Sequence, residues 1–214
     1  MTPTTKTTPP RKSGAPLRAD ARRNREAVLE AARDEFREHG FDCQMEDIAR
    51  VAGVGVGTVY RHFPNKEALL DALVEDRFDR LADRTAEALD REDPWEAFCE
   101  LMRWSARLQA DDRGLSEVLG SRPLVGEAAA AKSGLVELSD RLMRKAQRAG
   151  EMRKDLMVED IPTMICGLSA VTGAAEGSMP AMNWERFLEV MLDGMRAPGS
   201  AKLPAPRARL NQPR

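Results

Sequence analysis

Gly53, Gly55 and Gly57 alternate through "RVAGVGVGTVYRHFPNKEALL", residues 50–70. Glycine at this density can cradle phosphate, because a backbone without side chains brings its N–H groups close to an anion. Two nucleotide-binding motifs use that chemistry, and neither is present. The fingerprint G-x-G-x-x-G fails because Thr58 stands three residues after Gly55 and Tyr60 three after Gly57. A Walker loop fails because Thr58 and Val59 follow Gly57 where Lys and Ser or Thr are required. Both motifs also follow a buried strand, whereas "MEDIARVA" ahead of the glycines has the spacing of an amphipathic helix.

Other reactive side chains are sparse. The two histidines, His39 and His62, are too few and too far apart to build a triad or a metal site. Cys43, Cys99 and Cys166 are odd in number and form no CxxC, so neither a disulfide framework nor a zinc site is indicated. No paired carboxylates stand out above a charged helical surface. The expectation is therefore no enzyme, no metal and no cofactor, in a reducing, cytoplasmic setting.

The 214 residues are 42% hydrophobic and 5% aromatic, and rich in Ala, Leu, Glu, Arg and Met, the residues that enter helices most readily. An all-α protein follows. Charge is unevenly spread: residues 1–66 carry 12 basic against 9 acidic residues, and the rest 21 against 26. A basic front on an acidic body suits a polyanion-binding head. No apolar run reaches the ~18 residues of a membrane span, and the Thr/Pro-rich start lacks the apolar core of a signal peptide.

The elements that must hold the glycines are helices. Residues 1–19, rich in Pro, Thr and basic side chains, are expected to be a disordered arm. From about Asp20 a helix carries Val28, Leu29, Ala32 and Phe36 on one face, and Gly40 ends it as a left-handed cap. A second helix is predicted from about Cys43 to Ala52, capped by Asp42 or Cys43, and a short third from Val56 to His62. Asn65 should cap a long helix from Lys66 to about Leu89, and "DPWE" places Asp93 at N-cap, Pro94 at N1 and Glu96 at N3 of the next. Further helices are predicted over about 94–110, 113–120, 125–149, 159–176 and 184–196, before a disordered tail at 197–214.

Helix, glycine turn and short helix form a helix-turn-helix pattern, whose second helix enters the DNA major groove. At this point residues 22–70 resemble the DNA-binding head of the tetracycline-repressor (TetR) family of transcriptional regulators. The resemblance rests on "AVLEAARDEFREHGF" leading into "MEDIARVAGVGVGTVYRHFPNKEALL", with DIA, AGV, GT-x-Y, HF and NKEALL at these spacings. One position departs: many members carry Ser or Thr where this chain has Gly55. The implied domains are a helix-turn-helix head at 20–65 and a helical regulatory and dimerisation domain at 66–196.

By resemblance and helical phase, Thr58, Tyr60, Arg61 and His62 are the outward polar residues of the recognition helix. Hydroxyls of Thr58 and Tyr60 suit phosphate oxygens, the Tyr60 ring suits a thymine methyl, and Arg61 suits a guanine edge. Gly57 would admit close approach of DNA. Gln44 and Lys66 are placed to clamp flanking backbone, and Arg22 and Arg23 to reach a minor groove or add positive potential.

Such a head implies a homodimer on a palindromic double-stranded operator. Ile161, Met164, Ile165, Leu168, Val171 and Ala175, with Phe187 and Met191, are the expected dimer face. Trp95, Phe98, Met102, Trp104, Leu108, Leu142 and Met143 are candidates to line a cavity for a small-molecule effector, although such a stripe also builds ordinary core. The function expected is a repressor released from its operator by that molecule. The alternatives are an activator, or a helical interaction module with no ligand response.

Overall fold

A computed structural model of the chain describes residues 15–111, 115, 126–172, 183–199 and 201–204. Among them run eight α-helices: α1 (Ala15–His39), α2 (Met45–Val51), α3 (Val56–His62), α4 (Lys66–Leu89), α5 (Pro94–Asp111), α6 (Gly126–Arg148), α7 (Asp160–Thr172) and α8 (Trp184–Met195). The all-α class is as expected from composition. The helix predicted over 113–120, and the end of the one predicted to 176, lie outside the described residues.

Helix α1 starts at Ala15, so residues 15–19 belong to a helix and not to a disordered arm. Pro16 lies in the first turn, where a missing N–H forfeits no intrahelical bond, and Ala15 and Ala19 favour the helix. At the other end Gly40, with φ +55°, turns the chain into a short 3₁₀ segment, Gly40–Asp42. Helix α2 is capped beyond both predicted positions, one residue after Cys43 and two after Asp42, by the extended backbone of Gln44, whose side-chain amide donates back to the Asp42 carbonyl at 2.8 Å.

The turn between α2 and α3 is closed by two backbone bonds. Gly53 N–H donates to Arg50 O at 3.2 Å and Val54 N–H to Ala49 O at 3.0 Å, the paired bonds of a Schellman ending. That ending requires a left-handed residue, and Gly53 supplies φ +65°. Asn65 caps α4 by accepting from Ala68 N–H at 2.8 Å, and Asp93 caps α5 by accepting from Glu96 N–H at 2.8 Å.

Two apolar cores result. The first joins Val28, Leu29, Ala32 and Phe36 of α1 to Met45, Ile48 and Ala49 of α2, Val59 of α3, and Leu69, Leu70, Leu73 and Val74 of α4. It also takes in Leu115 and Ala128, from the regulatory side of the sequence. The second core gathers Ala88, Trp95, Phe98, Met102, Leu142, Met143, Leu168, Leu188 and Met195. Helix α4 therefore contributes to both cores, one at each end, and at 1.5 Å per residue its 24 residues span about 36 Å.

The tail also departs from expectation. Residues 197–199 and 201–204 are held against the loop after α6, because Ala197 N–H donates to Glu151 O at 2.8 Å and Leu203 N–H to the Asp155 carboxylate at 2.9 Å. Arg153 anchors the same segment by donating to Gly194 O and Ala201 O, while the Leu203 side chain packs on the second core. One apolar residue and one arginine fork suffice to order a stretch whose composition reads as a loop.

Candidate nucleic-acid interface

The recognition helix α3 is anchored by a single fully buried side chain, Val59, with Phe63 locking its exit. With one position buried in so short a helix, its other side chains are directed outward or along the rim. Gly57, Tyr60 and Arg61 are exposed, and Thr58 and His62 are half-buried. The Tyr60 hydroxyl lies 3.5 Å from a Glu46 carboxylate oxygen, too long to hold it strongly. Arg61 makes no hydrogen bond or ion pair among the described residues, so its guanidinium is available to a ligand. The His62 ring tilts against Phe63 at 6.2 Å between centroids.

Gln44 is exposed at the start of α2, beside this surface. Lys66 is different. Its ammonium donates to the Cys43 carbonyl at 2.8 Å and lies 5.6 Å over the Phe36 ring, which ties the start of α4 to the loop before α2. The side chain read as a backbone clamp thus positions the head internally. Burial pushes the neighbouring Cys43 thiol up, against the opposing pull of Lys66.

Arg22 and Arg23 lie on the exposed first half of α1, paired loosely with Glu26 at 3.7 Å and with Asp20. A residue not singled out from sequence joins them: Arg25 stacks its guanidinium 5.5 Å over the Phe63 ring, which brings a cation to the end of α3. Only the three-dimensional approach of α1 to residue 63 reveals it.

Five of the seven residues expected to line an effector cavity come together as packed core. Trp95 and Phe98 stack at 6.0 Å, and both share the second core with Met102, Leu142 and Met143. Trp104 and Leu108 are half-buried, and Arg84 covers the Trp104 ring at 5.3 Å. Burial pushes the Cys99 thiol in this core up to about 12. The expected dimer face is split: Ile161, Met164, Ile165, Phe187 and Met191 are partly buried on α7 and α8, whereas Leu168 is sealed at 1% exposure inside the chain. The side chain of Val171, and all of Ala175, lie outside the described residues.

The head and body are joined by polar contacts as well as by α4. Arg33 of α1 pairs with Asp76 of α4 at 2.6 Å, and Arg37 donates to the Asp111 carbonyl at the end of α5 at 3.0 Å. Among the described residues no group of His, Cys, Asp and Glu could hold a metal ion, and no helix is long and apolar enough to cross a membrane.

A helix-turn-helix head presenting an unpaired arginine, on an all-helical body, defines the DNA-binding regulator class. Comparison with known proteins agrees. Residues 28–73 match the domain of bacterial regulatory proteins of the tetR family, and residues 93–197 match the C-terminal domain of SbtR-like transcriptional regulators. A TetR transcription regulatory protein from Mycobacterium vanbaalenii is 40% identical, with a TM-score of 0.66, over 85% of this chain and 100% of that one. The HTH-type transcriptional regulator SAR0097 of Staphylococcus aureus is 36% identical over 81 residues, 36% of this chain and 42% of that protein. Bacillus subtilis FadR, solved in complex with stearoyl-CoA, shares the fold at 20% identity and a TM-score of 0.63, over 80% of this chain and 97% of its own. The chain belongs to the tetR family of transcriptional regulators.

Proposed function

We propose that this regulator is a repressor that binds a palindromic operator as a homodimer and leaves it when a small molecule occupies the body. The observation that carries the reading is the shared first core: Leu115 and Ala128 pack among head residues, and α4 runs from that core into the second. A rearrangement around a ligand in the body would be transmitted to the recognition helices through these contacts. Only a difference in effector affinity between the two arrangements could drive it.

Within this reading Arg61 reads a base edge, Thr58 and Tyr60 hold phosphates, and Gln44, Arg22, Arg23 and Arg25 supply flanking contacts. The two-fold face is formed by α7 and α8 through Ile161, Met164, Ile165, Phe187 and Met191, together with the exposed Val190. A body core of Met, Trp and Phe could admit an effector with an apolar part by repacking.

The test is binding of the full chain to the DNA upstream of its own gene, at fixed salt, with and without a broad compound library. Specific retardation that some bound compound relieves is the expected result. Specific binding that no bound compound alters would leave a regulator without the sensor. Promoter position of the bound site separates repression from activation.

A further inference from the structure

Large apolar side chains exposed to solvent are few among the described residues, and three of them lie on the helix-turn-helix: Val51, Val56 and Tyr60, exposed by 46%, 38% and 43%. Val56 and Tyr60 are four apart on α3 and so share one face. Val56 is moreover flanked by glycines with no conformational need to be glycine. Neither Gly55 nor Gly57 has a positive φ, and an added Cβ would meet nothing within 4 Å at Gly57 and only the Thr58 Oγ1 at 4.0 Å at Gly55.

Gly57, inside the helix, is destabilising relative to alanine, and no atom of the described chain fills the space beside it, whereas Gly55 is the N-cap, where glycine is well tolerated. The cleared space therefore faces outward. The first turn of α3 presents one side chain, Val56, on a backbone stripped bare at both sides. A partner can approach it to backbone distance and meet two methyl groups.

Resting on the DNA-binding reading above, we propose that Val56 is a specificity-determining residue that reads a thymine 5-methyl group in the major groove. Valine has neither donor nor acceptor, so it cannot pair with the N7, O6, O4 or amino groups of the base edges. The C5-methyl of thymine is the apolar group displayed there. The flanking glycines let the helix sink far enough for that contact, and Arg61 lies five residues further along for a polar one.

The test uses the full-length chain and an operator selected from a random duplex library. Single thymines of that operator are replaced by deoxyuridine, which deletes only the methyl, and affinity is measured at fixed salt for wild type and Val56→Ala. One thymine per half-site should be sensitive, with about fourfold weakening per half-site in wild type, as expected for one buried methyl. Val56→Ala should lose most of that sensitivity while melting at the wild-type temperature. A second variant, Gly57→Ala, should melt higher than wild type and yet bind the operator more weakly. Equal sensitivity of wild type and Val56→Ala at every thymine overturns the proposal alone. Failure to select any duplex overturns the DNA-binding reading and the proposal with it.

Discussion

The head and the body of this chain spend their side chains in opposite ways. In the head, one short helix is pinned by Val59 and Phe63, and its remaining surface is turned outward, with Arg61 unpaired and two glycines clearing the approach. In the body, charged residues are tied to one another: Arg103 bridges Glu96 and Glu189, Arg91 pairs with Glu100, and Arg153 holds Asp155. Glu189 is held below its ordinary range by the bond from Arg103, and Glu100 by the bond from Arg91. Within the head the unpaired cation is thus a feature of α3, since Arg22, Arg23 and Arg50 elsewhere in the head are paired with Glu26, Asp20 and Asp47, as the body's arginines are. Lys66 is a further head cation that behaves like those of the body.

The contrast can be broken most forcefully at the two cores. Phe36→Ala in the first should cost about 3–5 kcal/mol and Met143→Ala in the second about 2–5 kcal/mol, by loss of burial and creation of a cavity. Because α4 belongs to both cores, calorimetry should show one unfolding transition displaced by either variant. Two transitions, each moved only by its own variant, would show that head and body are independent units.

Arg61→Ala sharpens the contrast at the surface. It should weaken operator binding by about 1–3 kcal/mol, or roughly fivefold to 150-fold, with an unchanged melting temperature. A fall in melting temperature would mean that Arg61 supports the fold, as the body arginines do. Helix caps give a smaller effect of equal size on both sides. Asn65→Ala and Asn183→Ala each remove an oxygen that accepts from a helical N–H, and each should cost about 1 kcal/mol in denaturant melts.

The mildest test concerns pH. The Arg153 guanidinium, aided by the Leu203 N–H, holds the Asp155 carboxyl well below the usual carboxylate range. The folded value lies below the unfolded one of about 3.9, so this contribution is complete above that pH and is lost as pH falls through the folded value. Acid should therefore loosen residues 197–199 and 201–204 in wild type. Limited proteolysis of the tail should lose this acid dependence in Asp155→Asn.

Much of the helix layout was legible because its signals are local. The caps at Asn65 and Asp93, the breaks at Gly40 and Gly53 and the span of α3 each depend on residues a few positions apart, and each is found where the spacing places it. The start of α1 was misjudged by five residues because a stretch rich in Pro, Thr and basic residues reads as an arm, whereas Pro16 is harmless in a first turn. Arg25 escaped notice because its partner ring is 38 positions away. The body was legible as helices but not as sites, since a Met or Trp stripe has the same spacing whether it lines a cavity or fills a core.

By itself, the sequence determined the helical class and the helix-turn-helix, since periodicity and caps are short-range signals. Tertiary structure alone decided that Lys66 turns inward, that Leu115 and Ala128 complete the head core, that Leu168 is sealed within the chain and that the tail folds back on Asp155. Each of these depends on which distant surfaces meet. Burial and pairing between remote residues are properties of the assembled packing, and local spacing carries no record of them.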